Sequence, residues 1–259
     1  MFNTAQRWGY IKKNPFNEVS LGKIRTQPWH FITPDEFKSL LNVVDNLRVR
    51  KKAQEQDEAR IVRLKAFYSV MYGCGLRFGE AVNLLWNGDN IDFDKKQINL
   101  TNRPGTKILP IFKVKDYEAR SIPMPKWVVD SLIELKPYAE EGCPFTFLTK
   151  TSWNRVKSKW MMLRKAGETK KWNNKDLMGH ALRYFKKYCK FAGIKTNKKL
   201  TLHGLRKGYG TNLANMSTPA HTLKELMGHS SITTSMKYYL FSPDANKKKA
   251  VEGLDELMQ

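Results

Sequence analysis

Three short stretches carry residues whose types and spacing could do chemistry: "GCGLRFGE" (73–80), "LTLHGLRKGYG" (200–210) and "LMGHSSITTSMKYYLF" (226–241). Tyrosine, histidine and arginine can supply a nucleophile, a base and a fixed cation. The last stretch poses a choice between Tyr238 and Tyr239. Ser230 or Ser231 can cap a helix running through Phe241. On that helix Ile232, Met236 and Tyr239 fall on one apolar stripe. Tyr238 lies about 100° round, on a face with Ser231, Thr234 and Ser235. Tyr239 is therefore expected to pack in the core, and Tyr238 to point at something polar. His203 and Arg206 stand three apart on one helix face, with Leu205, Tyr209 and Leu213 as the opposite, core-facing stripe. Arg77 follows two glycines that permit a tight entry to a helix, and Glu80 is placed to orient it.

These residues need elements to hold them. Residues 1–13 read as the end of a helix stopped by "NPFNEV", and 17–31 as a linker. "ITPDEF" is a strong helix start: Thr33 as N-cap, Pro34 in the first turn and Glu36 closing a capping box. Helical spacing continues through "FKSLLNVV" and from Ile61 to Met71. "GCG" breaks it, and "LRFGEAVNLLW" begins another helix. Between Ile91 and Pro125 the pattern changes to short strands: "NIDFD", "QINLT", "ILPIFKVK" and "ARSIPMP". "PFTFL" suggests one more. After Thr151 helices dominate, and "SPDANKKKAVEGLDELMQ" suggests a terminal helix over about 244–259. The expected class is α+β, mostly helical with a small antiparallel sheet.

Composition narrows the partner. Against 46 Lys+Arg stand 24 Asp+Glu, a formal charge of +22 in 259 residues. That balance favours a polyanion, nucleic acid first. An anionic membrane surface is disfavoured, because no terminal stretch forms a long amphipathic basic helix. No apolar run approaches membrane-spanning length, and the polar start "MFNTAQRWGY" does not resemble a secretory signal. Three scattered cysteines (Cys74, Cys143, Cys189) show no metal spacing and read as reduced thiols of a cytoplasmic protein. No metal or other cofactor is expected.

In this order and spacing, "GLRFGE" (75–80), "HGLR" (203–206) and "MGHSSITTSMKYY" (227–239) resemble the tyrosine recombinase, or phage integrase, family. The resemblance covers roughly residues 27–245. Residues 1–26 resemble only the last helix and linker of the family's N-terminal DNA-clamping domain, so the chain is expected to be a catalytic fragment or to have a short N-terminus. The remainder, 27–259, is expected to be the catalytic domain. The family also carries a lysine on a β-hairpin that ends in Arg-x-(Val/Ile)-Pro. "KDYEARSIP" fits this with Lys115, leaving Lys113 as runner-up and Lys107 behind it. Two features depart from the pattern: "WNGDNID" is longer than the usual segment after the first helix, and Thr151 to Lys175 is extended.

The resemblance implies a reaction. A tyrosine oxygen attacks a DNA phosphorus, giving a 3′-phosphotyrosine and a free 5′-hydroxyl, and a partner strand's 5′-hydroxyl then releases the enzyme. The link conserves bond energy, so neither ATP nor metal is required. The implied catalytic set is Arg77, Lys115, His203, Arg206, His229 and Tyr238. Arg77 and Arg206 would bind nonbridging oxygens. His203 would take the tyrosine proton or bond a phosphate oxygen. His229 would donate to a nonbridging oxygen, and Lys115 would protonate the leaving oxygen. His30, His180 and His221 are read as structural or surface residues. The implied partner is double-stranded DNA, with a monomer in solution and a homo-tetramer in synapsis, in a bacterial cytoplasm. A type IB topoisomerase-like nicking-closing enzyme and a noncatalytic DNA-binding fragment remain the rivals.

Overall fold

The computed structural model describes residues 1–19, 30–114, 119–196 and 200–239. Its helices are α1 (Phe2–Arg7), α2 (Pro34–Asp45), α3 (Gln54–Gly73), α4 (Phe78–Val82), α5 (Lys126–Leu135), α6 (Lys150–Lys165), α7 (Ala181–Phe191), α8 (His203–Asn215), α9 (Ala220–Met227) and α10 (Ile232–Tyr239). Three strands, β1 (Ile91–Asp92), β2 (Gln97–Leu100) and β3 (Arg120–Pro123), form one antiparallel sheet in that order. The α+β class expected from the sequence is what the chain adopts.

Helix α2 begins as its sequence dictates. The Thr33 hydroxyl accepts the Glu36 N–H at 3.2 Å, and the Glu36 carboxylate accepts the Thr33 N–H at 2.9 Å. The helical run from 34 to 71 is not continuous, however. It breaks after Asp45, and Arg50 then folds back onto the first turn of α3, its Nε 2.8 Å and Nη2 3.0 Å from the Asp57 carboxylate. Beyond that turn α3 is the central helix. Every residue from Ala66 to Gly73 is buried, so the helix is enclosed all round by α2, α5 and α8.

The sheet buries Ile91, Ile98, Leu100 and Ile122 on its inner face, in the alternation that antiparallel strands with one wet side require. "ILPIFKVK" is not a strand of this sheet. Between β2 and β3 the chain makes a separate tight excursion in which Arg103 and Phe112 pair and Thr106 faces Leu109 across the turn. Pro110 cannot donate to a ladder, and its carbonyl instead accepts the Arg103 Nε at 3.3 Å. Arg103 also reaches the Asn83 carbonyl and side chain, while Trp160 Nε1 donates to the Thr106 carbonyl at 3.0 Å. "PFTFL" contributes a single pairing, Phe145 with Leu85.

At the N-terminus the expected 1–13 helix is shorter, ending at Arg7, and it buries none of its residues. The predicted tail helix over 244–259, most of the 17–31 linker and Lys115 lie outside the described residues. Two apolar clusters result. The large one runs from Ile32 to Leu205 through the sheet and the central helix. The small one joins α8, α9 and α10 through Ala214, Leu223, Met227 and Tyr238.

Candidate active site

The cationic side of the site is built around one carboxylate. Glu80, 3% exposed, sits in α4 three residues after Arg77. Its Oε1 accepts Arg77 Nη1 at 2.9 Å, and its Oε2 accepts the Arg77 backbone N–H at 2.8 Å. Arg120, at the start of β3, donates Nη2 to the same Oε2 at 2.8 Å, and Arg206 Nη1 lies 4.0 Å from it. Burial alone would raise the Glu80 pKa. The Arg120 charge and hydrogen bond, then Arg206 and the Arg77 backbone bond, outweigh it and hold the carboxyl below its ordinary value.

Both catalytic-candidate arginines are also tied to the end of α9. Arg77 Nη2 donates to the Gly228 carbonyl at 2.7 Å, and Arg206 Nη2 to the Met227 carbonyl. The last carbonyls of a helix carry partial negative charge, so this end attracts guanidinium groups. Arg206, 1% exposed, donates through Nη1 to the Gly75 carbonyl as well. Two glycines make these approaches possible. Gly75 has φ +61° and Gly228 φ +56°, left-handed conformations that other residues adopt at a cost. Burial first, then the Arg77 charge, lowers the Arg206 pKa to about 10, yet it stays charged at neutral pH.

The other side of the site holds His229 and Tyr238, whose rings stack with centroids 5.8 Å apart and planes 20° from parallel. His229 Nδ1 lies 2.9 Å from Ser235 Oγ, which is fully buried one turn before Tyr238. This corrects the stripe argument. Tyr238 is 3% exposed and packed in the small cluster, whereas Ile232 and Met236 are 48% and 50% exposed. Helix α10 docks through Ser235, which pairs with His229, and through Tyr238. Tyr239 is half-buried, and its hydroxyl donates to the Thr218 carbonyl. Tyr238 is therefore the core tyrosine, and its packing marks it by contact with His229 rather than by a polar face.

His203 opens α8 one turn before Arg206 and keeps an exposed surface. Burial of its inner side comes first, then Arg206, Lys207 and Arg77; together they push its pKa down to about 4. His229 is pushed to about 4 by burial, then Arg206 and Arg77. Both imidazoles are neutral at pH 7. Burial raises the Tyr238 phenol against the pull of Arg206 and Arg77, so it is protonated there too.

Arg77, His203, Arg206, His229 and Tyr238 thus share one electrostatic neighbourhood. Lys113 and Lys107 are exposed on the β2–β3 excursion. His180 stands just before α7 with its ring edge-on to Tyr184, His221 is exposed, and His30 is half-buried with a buried Nε2. In the sequence Arg120 stands only as the first residue of the Arg-x-(Val/Ile)-Pro strand motif; no local signal ties it to Glu80, 40 residues away. Among the described residues no group of three His, Cys, Asp or Glu side chains could hold a metal ion, and no helix is long and apolar enough to cross a membrane.

Comparison with known proteins fits this geometry. Residues 30–244 match the model of the phage integrase family. A XerC-like tyrosine recombinase of Caldanaerobacter subterraneus subsp. tengcongensis is 29% identical over 273 residues, spanning 99% of this chain and 63% of its own length. The ICEBs1 integrase of Bacillus subtilis is 23% identical, spanning 100% of this chain and 63% of its own. The chain thus covers a little under two thirds of these relatives. Among solved structures, the Tn1549 transposon integrase in complex with circular intermediate DNA shares the fold with a TM-score of 0.63 at 23% identity, over 96% of this chain and 76% of that one.

Proposed function

This chain belongs to the phage integrase family, and we propose that it cuts and rejoins double-stranded DNA as a site-specific recombinase of a mobile element. One observation carries the reading: Arg77 and Arg206, from elements 129 positions apart, both grip the Met227–Gly228 carbonyls beside the stacked His229–Tyr238 pair. In this reading the Tyr238 oxygen attacks phosphorus, the P–O5′ bond breaks, and a 3′-phosphotyrosine forms. Two fixed guanidiniums offset the charge gathering on the nonbridging oxygens, each worth roughly 3–4 kcal/mol by analogy with an oxyanion donor. The phenol must lose its proton as it attacks. His203, neutral and partly exposed, is the base proposed for it. His229 donates to a nonbridging oxygen. Lys115 is proposed as the acid that protonates O5′, on the sequence match alone. The partner strand's 5′-hydroxyl then attacks the phosphotyrosine and restores Tyr238.

The DNA path is supported by charge. Arg155, Lys159 and Lys165 on α6 and Arg183, Lys187 and Lys190 on α7 are exposed, suited to phosphate contacts whose strength falls steeply with salt. Residues 1–26 are read as the end of a DNA-clamping domain. The tetramer in synapsis and the bacterial cytoplasmic setting rest on family membership alone. The test is covalent capture from a pool of nicked duplexes of random sequence. The expected result is a protein–DNA adduct that survives denaturation, with the strand joined through its 3′-phosphate. A band shift with no adduct at any sequence would leave a binding module. An adduct with free relaxation of supercoiled plasmid but no joining of two duplexes would favour a nicking-closing enzyme.

A further inference from the structure

We propose that Arg120, which no part of the reaction scheme above employs, is a positioning residue that keeps Glu80 from neutralising the two phosphate-binding arginines and braces the turn presenting His229. The inference rests on reading this site as a phosphate-binding centre. Its observations are independent of Tyr238.

Glu80 is a buried anion among cations. A carboxylate there is useful at Arg77, where it caps the start of α4 and aims the guanidinium. It is a hazard at Arg206, whose Nη1 stands 4.0 Å from Oε2. A small turn of the carboxylate would bring these into a full ion pair and consume charge needed for a phosphate. Arg120 occupies that oxygen from β3 at 2.8 Å, with its side chain 11% exposed. With Arg120 in place the buried set is three guanidiniums against one carboxylate, leaving excess positive charge for a dianionic transition state. Without it, Oε2 keeps only the Arg77 backbone N–H as a hydrogen-bond donor, and the charge that Arg120 offset falls on Arg206.

The second contact is with the turn after α9. A Cβ placed on Gly228 would lie 2.8–2.9 Å from the Arg120 guanidinium, so the guanidinium packs directly on that glycine's backbone. The Gly228 carbonyl is the acceptor of Arg77, and the next residue is His229. Arg120 therefore joins β3 to both halves of the site at one point. Its Nε is buried with no hydrogen-bond partner, a cost of burial that is tolerated here.

The experiment uses the full chain with Arg120→Met, Arg120→Lys, Glu80→Gln and the Arg120→Met/Glu80→Gln pair. One readout needs no target sequence: binding of inorganic phosphate, followed through the His229 imidazole resonance. The other is the rate of adduct formation on a captured duplex. Arg120→Met should weaken phosphate binding about tenfold and slow adduct formation about a hundredfold, the scale of a misplaced catalytic group. DNA affinity should change much less, because the remaining basic surface is intact. Arg120→Lys should recover most of the loss by restoring one donor to Glu80. The decisive arm is the pair. If Glu80's carboxylate is what disables Arg206, removing its charge should restore phosphate binding to near the Glu80→Gln level. A double variant worse than either single one would mean that Arg120 merely packs, and would overturn the proposal. So would phosphate affinity in Arg120→Met equal to that of the natural chain, provided the variant unfolds at a similar temperature. Absence of any adduct from the natural chain would instead count against the recombinase reading, while the phosphate result still judges Arg120.

Discussion

The two halves of the site are held by very different amounts of protein. Glu80 and its arginines lie against the large core: α4 follows the enclosed central helix, and β3 belongs to a sheet whose inner face is fully buried. Tyr238 and His229 depend on a small cluster of Ala214, Leu223 and Met227 where three short helices meet. Backbone carbonyls and an ion-pair network fix the half proposed to stabilise charge, whereas the proposed nucleophile, Tyr238, packs in the small cluster and stacks on His229, which in turn bonds Ser235. Such satellite packing opens at lower free energy than a global core. The contrast suits a reaction in which the phosphate pocket must be ready beforehand while the tyrosine, 3% exposed here, must reach out to DNA.

The largest effect should come from the proposed nucleophile. Tyr238→Phe removes one oxygen and keeps the ring on His229. The adduct should vanish, with unfolding temperature and DNA affinity nearly unchanged. Tyr239→Phe loses only the bond to the Thr218 carbonyl and should retain the adduct. An adduct lost in Tyr239→Phe and kept in Tyr238→Phe would reverse the assignment, and the contrast between the two halves would dissolve with it.

Next in size is the proton for the leaving oxygen. An alkoxide leaves poorly, whereas a thiol, with pKa near ~8.5, needs no such help. Lys115→Ala should slow cleavage of ordinary DNA by roughly 10²–10⁴, the usual worth of acid catalysis. Most of that loss should disappear when sulfur replaces the 5′-bridging oxygen. Arg206→Ala, which acts on the nonbridging oxygens, should show no rescue. If Lys113→Ala is rescued and Lys115→Ala is not, the lysine assignment moves by two residues.

The chain's sequence displayed the site better than it displayed the packing. "GLRFGE", "HGLR" and "MGHSS" are contiguous, and each carries its functional types within one helical turn, so their content survives without knowledge of the fold. The Thr33–Glu36 capping box is equally local. What was not legible depends on contacts across the chain. Periodicity shows that Ile232, Met236 and Tyr239 share a face, but not which face finds a neighbour; in the fold Ser235 pairs with His229 and Tyr238 packs in the small cluster. "ILPIFKVK" has strand-like residues, yet Arg103 and Trp160 fold it into a separate turn. Arg120 gains meaning only through Glu80.

A third prediction sets the two clusters against each other. Leu132, fully buried in the large core, should cost about 2–5 kcal/mol of global stability when cut to alanine. Leu223 is as fully buried, but in the small cluster. Leu223→Ala should lower the main unfolding transition less while speeding hydrogen exchange across α9 and α10, and it should reduce adduct formation more than Leu132→Ala does. Equal loss of global stability in both would show that the nucleophile's cluster folds as one unit with the rest.

The smallest expected effect is a dependence of stability on pH, and its sign follows from burial first and the neighbouring arginines second. His229 and His203 have folded-state pKa values near 4, below the ordinary 6.5. Between those values the unfolded chain binds more protons than the folded one, so stability falls as pH drops from about 6.5 toward 4 and levels off below. His229, nearly buried, could contribute at most ~3 kcal/mol over that window. His203 should contribute less, because water screens its exposed side. Glu80 acts in the same direction, since the arginines hold its carboxyl below its ordinary value. Thermal unfolding of the natural chain and of His229→Gln across pH 4 to 7 separates these terms. The variant should show a flatter slope above pH 4. Adding inorganic phosphate should flatten the slope of the natural chain too, because an anion among Arg77, Arg206 and the imidazoles offsets the charge that keeps them neutral. A slope of the natural chain unchanged by phosphate would show that burial, not the guanidiniums, sets the imidazole pKa values.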